Sequence, residues 1–179
     1  MTEEPVLFGS QQSFGIDVED NHVEDGHVCA HLCFWAGGER IGDGNVEWLT
    51  IPTADLEYSL SPDHPSPEKL YPAMGPAEIL ELVYTPSLGL SQKNAPLLLV
   101  SGPPFDGWYV ILYKGQREDT LAWRTSEEDD VHQVQLPKGV YESAVREYLA
   151  WFYAECRRQG IEPFPEDAPA KPELLPPPR

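Results

Sequence analysis

His27-Val28-Cys29-Ala30-His31-Leu32-Cys33-Phe34-Trp35 is the clearest periodic stretch of the chain. Val28, Ala30, Leu32 and Phe34 alternate with His27, Cys29, His31, Cys33 and Trp35. A period of two puts the two sets on opposite faces of a β-strand. Just upstream, Asp25-Gly26 is a dipeptide suited to a tight hairpin turn. Across the polar run Glu19–Asp25, Phe14, Ile16 and Val18 alternate again within Ser13–Val18, so a second strand precedes the first. Downstream, Gly37-Gly38 supplies the next turn and Gly42-Asp43-Gly44-Asn45 an irregular stretch. Val46–Ile51 and Ala54–Leu60 read as further strands, interrupted by Pro52. An antiparallel meander accounts for this half.

The second half mixes elements. Ser61–Pro76 carries five prolines and reads as a surface loop or a mobile excursion. Pro76 is placed to be the first residue of a short helix reaching about Tyr84, with Ile79, Leu80, Leu82 and Val83 as its apolar contacts and Pro86 as its stop. Leu97–Ser101, Trp108–Lys114, Thr120–Arg124 and Val131–Leu136 are strand candidates, and Glu127-Glu128-Asp129-Asp130 forms a polar hairpin tip. From about Lys138 to Gln159, Tyr141, Val145, Leu149, Phe152 and Cys156 recur at helical spacing, with Tyr148 beside them. Arg157-Arg158 suits the negative end of that helix, and Gly160 its C-cap. The expected fold class is α+β: a mainly antiparallel, meander-like sheet packed by a long C-terminal helix and a shorter middle helix. The expected organisation is one domain over residues 1–160 and a proline-rich, disordered tail over residues 161–179, where seven of nineteen residues are proline.

Composition narrows the function. With 12 Lys+Arg against 30 Asp+Glu, the 179-residue chain carries a formal charge of −18. Such a field repels nucleic acid and anionic membranes and steers basic partners inward. The acids are clustered. Met1–Asp25 holds seven and no Lys or Arg, whereas Lys138–Gly160 holds three acids against four bases. No apolar run approaches the ~20 residues that cross a bilayer, and the N-terminus lacks the basic and apolar regions of a signal peptide. Cys29 and Cys33 lie ~13 Å apart on one extended strand, too far for a disulfide. The three cysteines therefore read as free thiols in a reducing cytoplasm.

The chain offers no recognised catalytic motif: neither a nucleophile elbow, a phosphate-binding loop, a dinucleotide fingerprint nor a zinc-protease helix is present. Asp17, Glu19 and Asn21 imitate the start of a calcium loop. His22, however, stands where its glycine belongs and Val28 where its bidentate Glu belongs. His27, Cys29, His31 and Cys33 suit zinc by chemistry. Same-face neighbours on a strand are ~7 Å apart, and ligands of one zinc must lie within ~4 Å, so this strand alone supplies two at most. The alternative is a sheet face packed beneath the C-terminal helix, with Cys acting as a small hydrophobe. No catalytic residue, metal ligand or cofactor is assigned, and the chain is read as a binder, not an enzyme. Asp17, Glu19, Asp20, Glu24, Asp25, Glu127, Glu128, Asp129 and Asp130 are the candidate partner-binding residues.

Two segments carry a family resemblance. Leu7-Phe8-Gly9-Ser10 is followed by Phe14-Gly15-Ile16-Asp17-Val18 and the strand ending Leu32-Cys33-Phe34. Trp108-Tyr109-Val110-Ile111-Leu112-Tyr113 leads through Val134-Gln135-Leu136-Pro137-Lys138-Gly139-Val140-Tyr141 into the long helix. In order and pattern these resemble immunity protein family 42, whose members protect bacteria from toxins of polymorphic and contact-dependent systems. The resemblance implies a protein that binds a cognate, basic toxin and occludes its surface or active site, without catalysis. Two alternatives stay open: an acidic binding module or nucleic-acid mimic for another basic protein, and a zinc or Cys/His hydrolase built on the His27/Cys29/His31/Cys33 face.

Overall fold

A computed structural model describes residues 5–43, 45–85 and 87–164. Two antiparallel sheets dominate it. The first contains β1 (Val6–Gly9), β2 (Phe14–Glu24), β3 (His27–Ala36) and β4 (Glu39–Ile41) in chain order, with β5 (Val46–Trp48) sharing β4's edge of β3. The second contains β8 (Trp108–Lys114), β9 (Glu118–Thr125) and β10 (His132–Pro137) as a three-stranded meander. A two-stranded ribbon, β6 (Tyr84–Thr85) and β7 (Gly89–Leu90), lies between them in sequence. The helices are α1 (Thr50–Ser59), α2 (Pro67–Leu70), α3 (Pro76–Val83) and α4 (Val140–Gln159). The α+β class and the antiparallel architecture follow the sequence expectation, with two principal sheets taking the place of one.

Alternation dictates the layering. Phe14, Ile16 and Val18 pair with Ala36, Phe34 and Leu32, so the inward residues of β2 and β3 form one continuous buried face. α4 lies against this layer: Phe14 meets Tyr141 with ring centroids 5.0 Å apart, and Phe8 meets Tyr148 at 5.8 Å. Tyr141, Val145, Tyr148, Leu149, Phe152 and Cys156 are all buried there. Gly9 lets strand and helix approach closely. It has φ +84, and a Cβ on it would sit 2.5 Å from the Phe14 carbonyl oxygen and 2.9 Å from Ala144 Cβ. One face of the second sheet (Val110, Leu112, Leu121, Trp123, Leu136) joins the same core. Its other face, with Ile111 and Ala122, packs beneath Ile79, Leu80 and Val83 of α3. Gly160 closes α4 in a Schellman motif, its N–H reaching the Arg157 carbonyl at 3.3 Å and that of Ile161 the Cys156 carbonyl at 2.9 Å.

Several expectations are corrected. Ala54–Leu60 is no strand: Thr50–Ser59 is helical, and Pro52 sits in its first turn, where proline is tolerated. Its buried residues include Pro52, Thr53, Leu56 and Ser59, a helical spacing hidden in the sequence because two of them are polar. Those two are held by tyrosines of α4, Thr53 Oγ1 to Tyr148 Oη at 2.6 Å and Ser59 Oγ to Tyr141 Oη at 2.6 Å. Leu97–Ser101 is not a strand either. Ala95–Leu97 is a 3-10 turn, and the Leu99 N–H makes a 2.8 Å bond to the Val110 carbonyl beside β8. The proline-rich Ser61–Pro76 segment contains the one-turn α2. α3 begins at Pro76 as expected, with Glu78 Oε2 accepting the Gly75 N–H at 2.7 Å. It ends at Val83; Pro86, its expected stop, lies outside the described residues. Of the expected tail, Ile161 packs against the core and Phe164 meets Tyr153 edge-on, while residues 165–179 lie outside the described residues.

Candidate partner-binding surface

The polar run Glu19–Asp25 continues β2 and does not end it. Glu19 pairs with His31 and His22 with Cys29, so Asp20 and Asn21 together oppose Ala30 in a β-bulge. Asp20 adopts φ +53, a left-handed conformation that Asp tolerates. The extra residue reverses which side chains turn outward: His22 and Glu24 face the same way as Glu19, in place of Asn21 and Val23. β2 ends in a two-residue loop in which Asp25 and Gly26 both have positive φ, the type I′ pattern that matches strand twist.

The outer face of the first sheet therefore carries Leu7, Asp17, Glu19, His22 and Glu24 beside His27, Cys29, His31, Cys33 and Trp35, with Arg40, Val46 and Trp48 on the far edge. It does not lie beneath the C-terminal helix, as the sequence suggested for its Cys/His residues. That helix takes the Val28/Ala30/Leu32/Phe34 side. Cys29 and Cys33 are still buried, because larger neighbours roof them. His27 stacks on Trp48 at 4.0 Å with an interplanar angle of 12°, and Arg40 Nε donates to Cys33 Sγ at 3.1 Å. Burial raises the pKa of both thiols, opposed at Cys33 by the Arg40 bond. Neither is an activated nucleophile. Among the described residues no helix or strand is layered over this face, and Trp48 stays 47% exposed, Leu7 40% and Val46 38%.

The nine sequence-predicted contact residues separate into two groups. Asp17 is buried and accepts the Trp35 Nε1–H at 3.1 Å, so it orders the face from within. Glu19 is half-buried at its middle. Asp20 is exposed, with Oδ2 3.8 Å from His31 Nε2 and its carbonyl 2.9 Å from His22 Nδ1. Glu24 and Asp25 are exposed at the hairpin tip, Glu24 Oε2 lying 4.0 Å from His22 Nε2.

Glu127, Glu128, Asp129 and Asp130 form an exposed loop between β9 and β10. Buried Arg124 draws in the carbonyls of Glu128 (2.9 Å) and Asp129 (3.2 Å), with its guanidinium 5.5 Å above the Tyr84 ring. His132 bridges Glu128 (3.8 Å) and Glu39 (3.2 Å). That contact places the loop beside the β3–β4 turn, whereas Asp25 lies at the opposite end of β3. Ten residues of strand put the Glu24–Asp25 tip roughly 30 Å from that loop, with Asp17 and Glu19, opposite Cys33 and His31, between them, so the structure does not merge the two groups into one patch. Trp48, Val46, Leu7 and Arg40 were not selected from the sequence. A strand at Val46 was expected, but the side Trp48 faces depends on its pairing with Cys29, which no local pattern reveals.

Fold and surface together define a class: a strongly acidic α+β binding protein with one sheet covered on both sides and the other open on one. The chain matches the model of the family described as Immunity protein 42 over residues 1–151, and it belongs to that family. It is a toxin-immunity protein, whose expected role is to bind a cognate toxin. CdiI from Burkholderia dolosa AUO158 shares the fold, with a TM-score of 0.54 and 22% identity across 82% of this chain and 99% of that one. No curated protein matches the chain.

Proposed function

We propose that the protein neutralises its toxin by laying the outer face of the first sheet over the toxin's surface or active site, acting through occupancy and not catalysis. The exposed Trp48, stacked on His27 at the edge of a sheet face that carries no second layer, is the observation behind this reading. Rigid exposed aromatics are the commonest anchors of protein interfaces. β2 and β3, each roughly 30 Å long, with the shorter β1, β4 and β5 beside them at ~4.8 Å spacing, offer about 500 Å² of projected area. That is most of the ~800 Å² per partner in ordinary complexes.

The partner is a basic toxin. Glu19, Asp20, Glu24 and Asp25 border the face and supply contact charges, while Glu127–Asp130, at the other end, acts on approach through its field. Three buried free thiols suit the reducing cytoplasm as the place of action. Co-expression with the toxin encoded beside this gene tests the reading. Restored growth and co-purification of the pair are the expected results. A well-expressed pair that neither binds nor rescues would refute it.

A further inference from the structure

The bulge in β2 assembles a donor set that spacing along β3 alone could not provide. His22 lies directly opposite Cys29, and Glu24 follows two residues on along the same face. One ligand atom from each, an imidazole nitrogen, a carboxylate oxygen and a thiol sulfur, lies within 4.8 Å of the other two. We infer that His22, Glu24 and Cys29 form a binding site for a divalent transition-metal cation, with zinc the ion their chemistry suits.

Three features support this assignment. The mixed N/O/S set favours zinc over calcium or magnesium, which take oxygen alone. His22 is pre-oriented: Nδ1 lies 2.9 Å from the Asp20 carbonyl, so an Nδ1–H there leaves Nε2, 4.0 Å from Glu24 Oε2, as the coordinating nitrogen. Such a backbone partner on the second ring nitrogen is the usual outer-shell device of a metal-bound histidine. It exists because Asp20 is held in its left-handed bulge conformation. Finally, Glu24, Asp25 and Glu47 surround the thiol with negative charge, a field that attracts a dication.

Ligand atoms around tetrahedral zinc lie about 3.3–3.8 Å apart. The set must therefore contract by roughly 1 Å, within reach of the two exposed side chains, His22 and Glu24. Water completes the coordination. The Cys29 Sγ–H, now directed at the His27 carbonyl at 3.7 Å, is lost on binding. Neutral imidazole, carboxylate and thiol plus one dication thus give the bound site and one proton released to solvent, and affinity rises with pH.

The experiment needs no toxin and so stands apart from the proposed mode of neutralisation. Cobalt(II) is titrated into the purified full chain, followed by zinc displacement. The expected result is one equivalent bound, with thiolate-to-cobalt charge-transfer absorption that zinc abolishes. Cys29→Ser removes the absorption and Cys156→Ser leaves it. His22→Gln and Glu24→Gln, both at exposed positions, each weaken binding by about 10-fold or more. Absence of the thiolate band in the wild-type chain would overturn the assignment. So would a band that survives in Cys29→Ser, or unchanged affinity in folded His22→Gln.

Discussion

Tyr148→Phe removes one hydroxyl from the interface of α1 and α4 and leaves the ring in place. Tyr148 and Thr53 are both fully buried, and their oxygens lie 2.6 Å apart. After the substitution the Thr53 hydroxyl has neither protein nor solvent to bond, which costs about 1–3 kcal/mol. Thr53→Val leaves the tyrosine hydroxyl stranded at a similar cost. Removing both together exchanges a satisfied polar pair for an apolar contact of the same shape, which is close to neutral. The double variant is therefore predicted to be more stable than the sum of the single losses implies, by about 2 kcal/mol or more. Tyr141→Phe should cost less than Tyr148→Phe, because Ser59 Oγ keeps its 2.6 Å bond to the Leu56 carbonyl. Urea unfolding provides the assay, read as a shift in midpoint at constant slope. Strictly additive losses would refute the reasoning, since they would mean that the two hydroxyls do not depend on each other.

Further expectations concern charge. His64 is held down from 6.5 to about 4, chiefly by burial and secondarily by Lys114. Between those values the unfolded chain binds a proton that the folded one refuses, so stability should fall as pH drops from 6.5 towards 4; His64→Gln should flatten that slope in pH-dependent denaturation. Lys138 Nζ lies 2.5 Å from Asp119 Oδ1, and the carboxylate is buried. Lys138→Met leaves that charge unpaired and should cost about 1–3 kcal/mol in the same unfolding assay. Replacing Glu127, Glu128, Asp129 and Asp130 by Lys should slow association with the toxin and reduce its salt dependence, leaving the dissociation rate little changed in stopped-flow or surface-binding kinetics. An unchanged on-rate would remove the steering role.

Strong periodicity was readable from the sequence and weak periodicity was not. β3 and α4 each present an uninterrupted apolar face to the core, so their alternation of two and their helical stripe survive translation into structure. α1 hid its period because its buried residues include Thr53 and Ser59, acceptable inside only because tyrosines one helix away bond them. The β2 extension was hidden differently: a bulge at Asp20 breaks the alternation just where the residues turn polar. That irregularity decides which side chains meet Cys29, so the metal-ligating cluster could not be read from spacing along one strand. The acidic residues themselves were legible, but their division between opposite ends of β3 depends on β10 meeting the β3–β4 turn, a contact distant in sequence.

The most direct test of the central claim is the affinity of the cognate toxin for Trp48→Ala. The side chain is half exposed and its loss should leave the core intact, so thermal unfolding should match the wild type. If the outer sheet face is the interface, binding should weaken by about 30-fold or more, equivalent to roughly 2 kcal/mol for an aromatic anchor. Wild-type affinity in a folded Trp48→Ala protein would contradict the account and place the toxin elsewhere on the molecule.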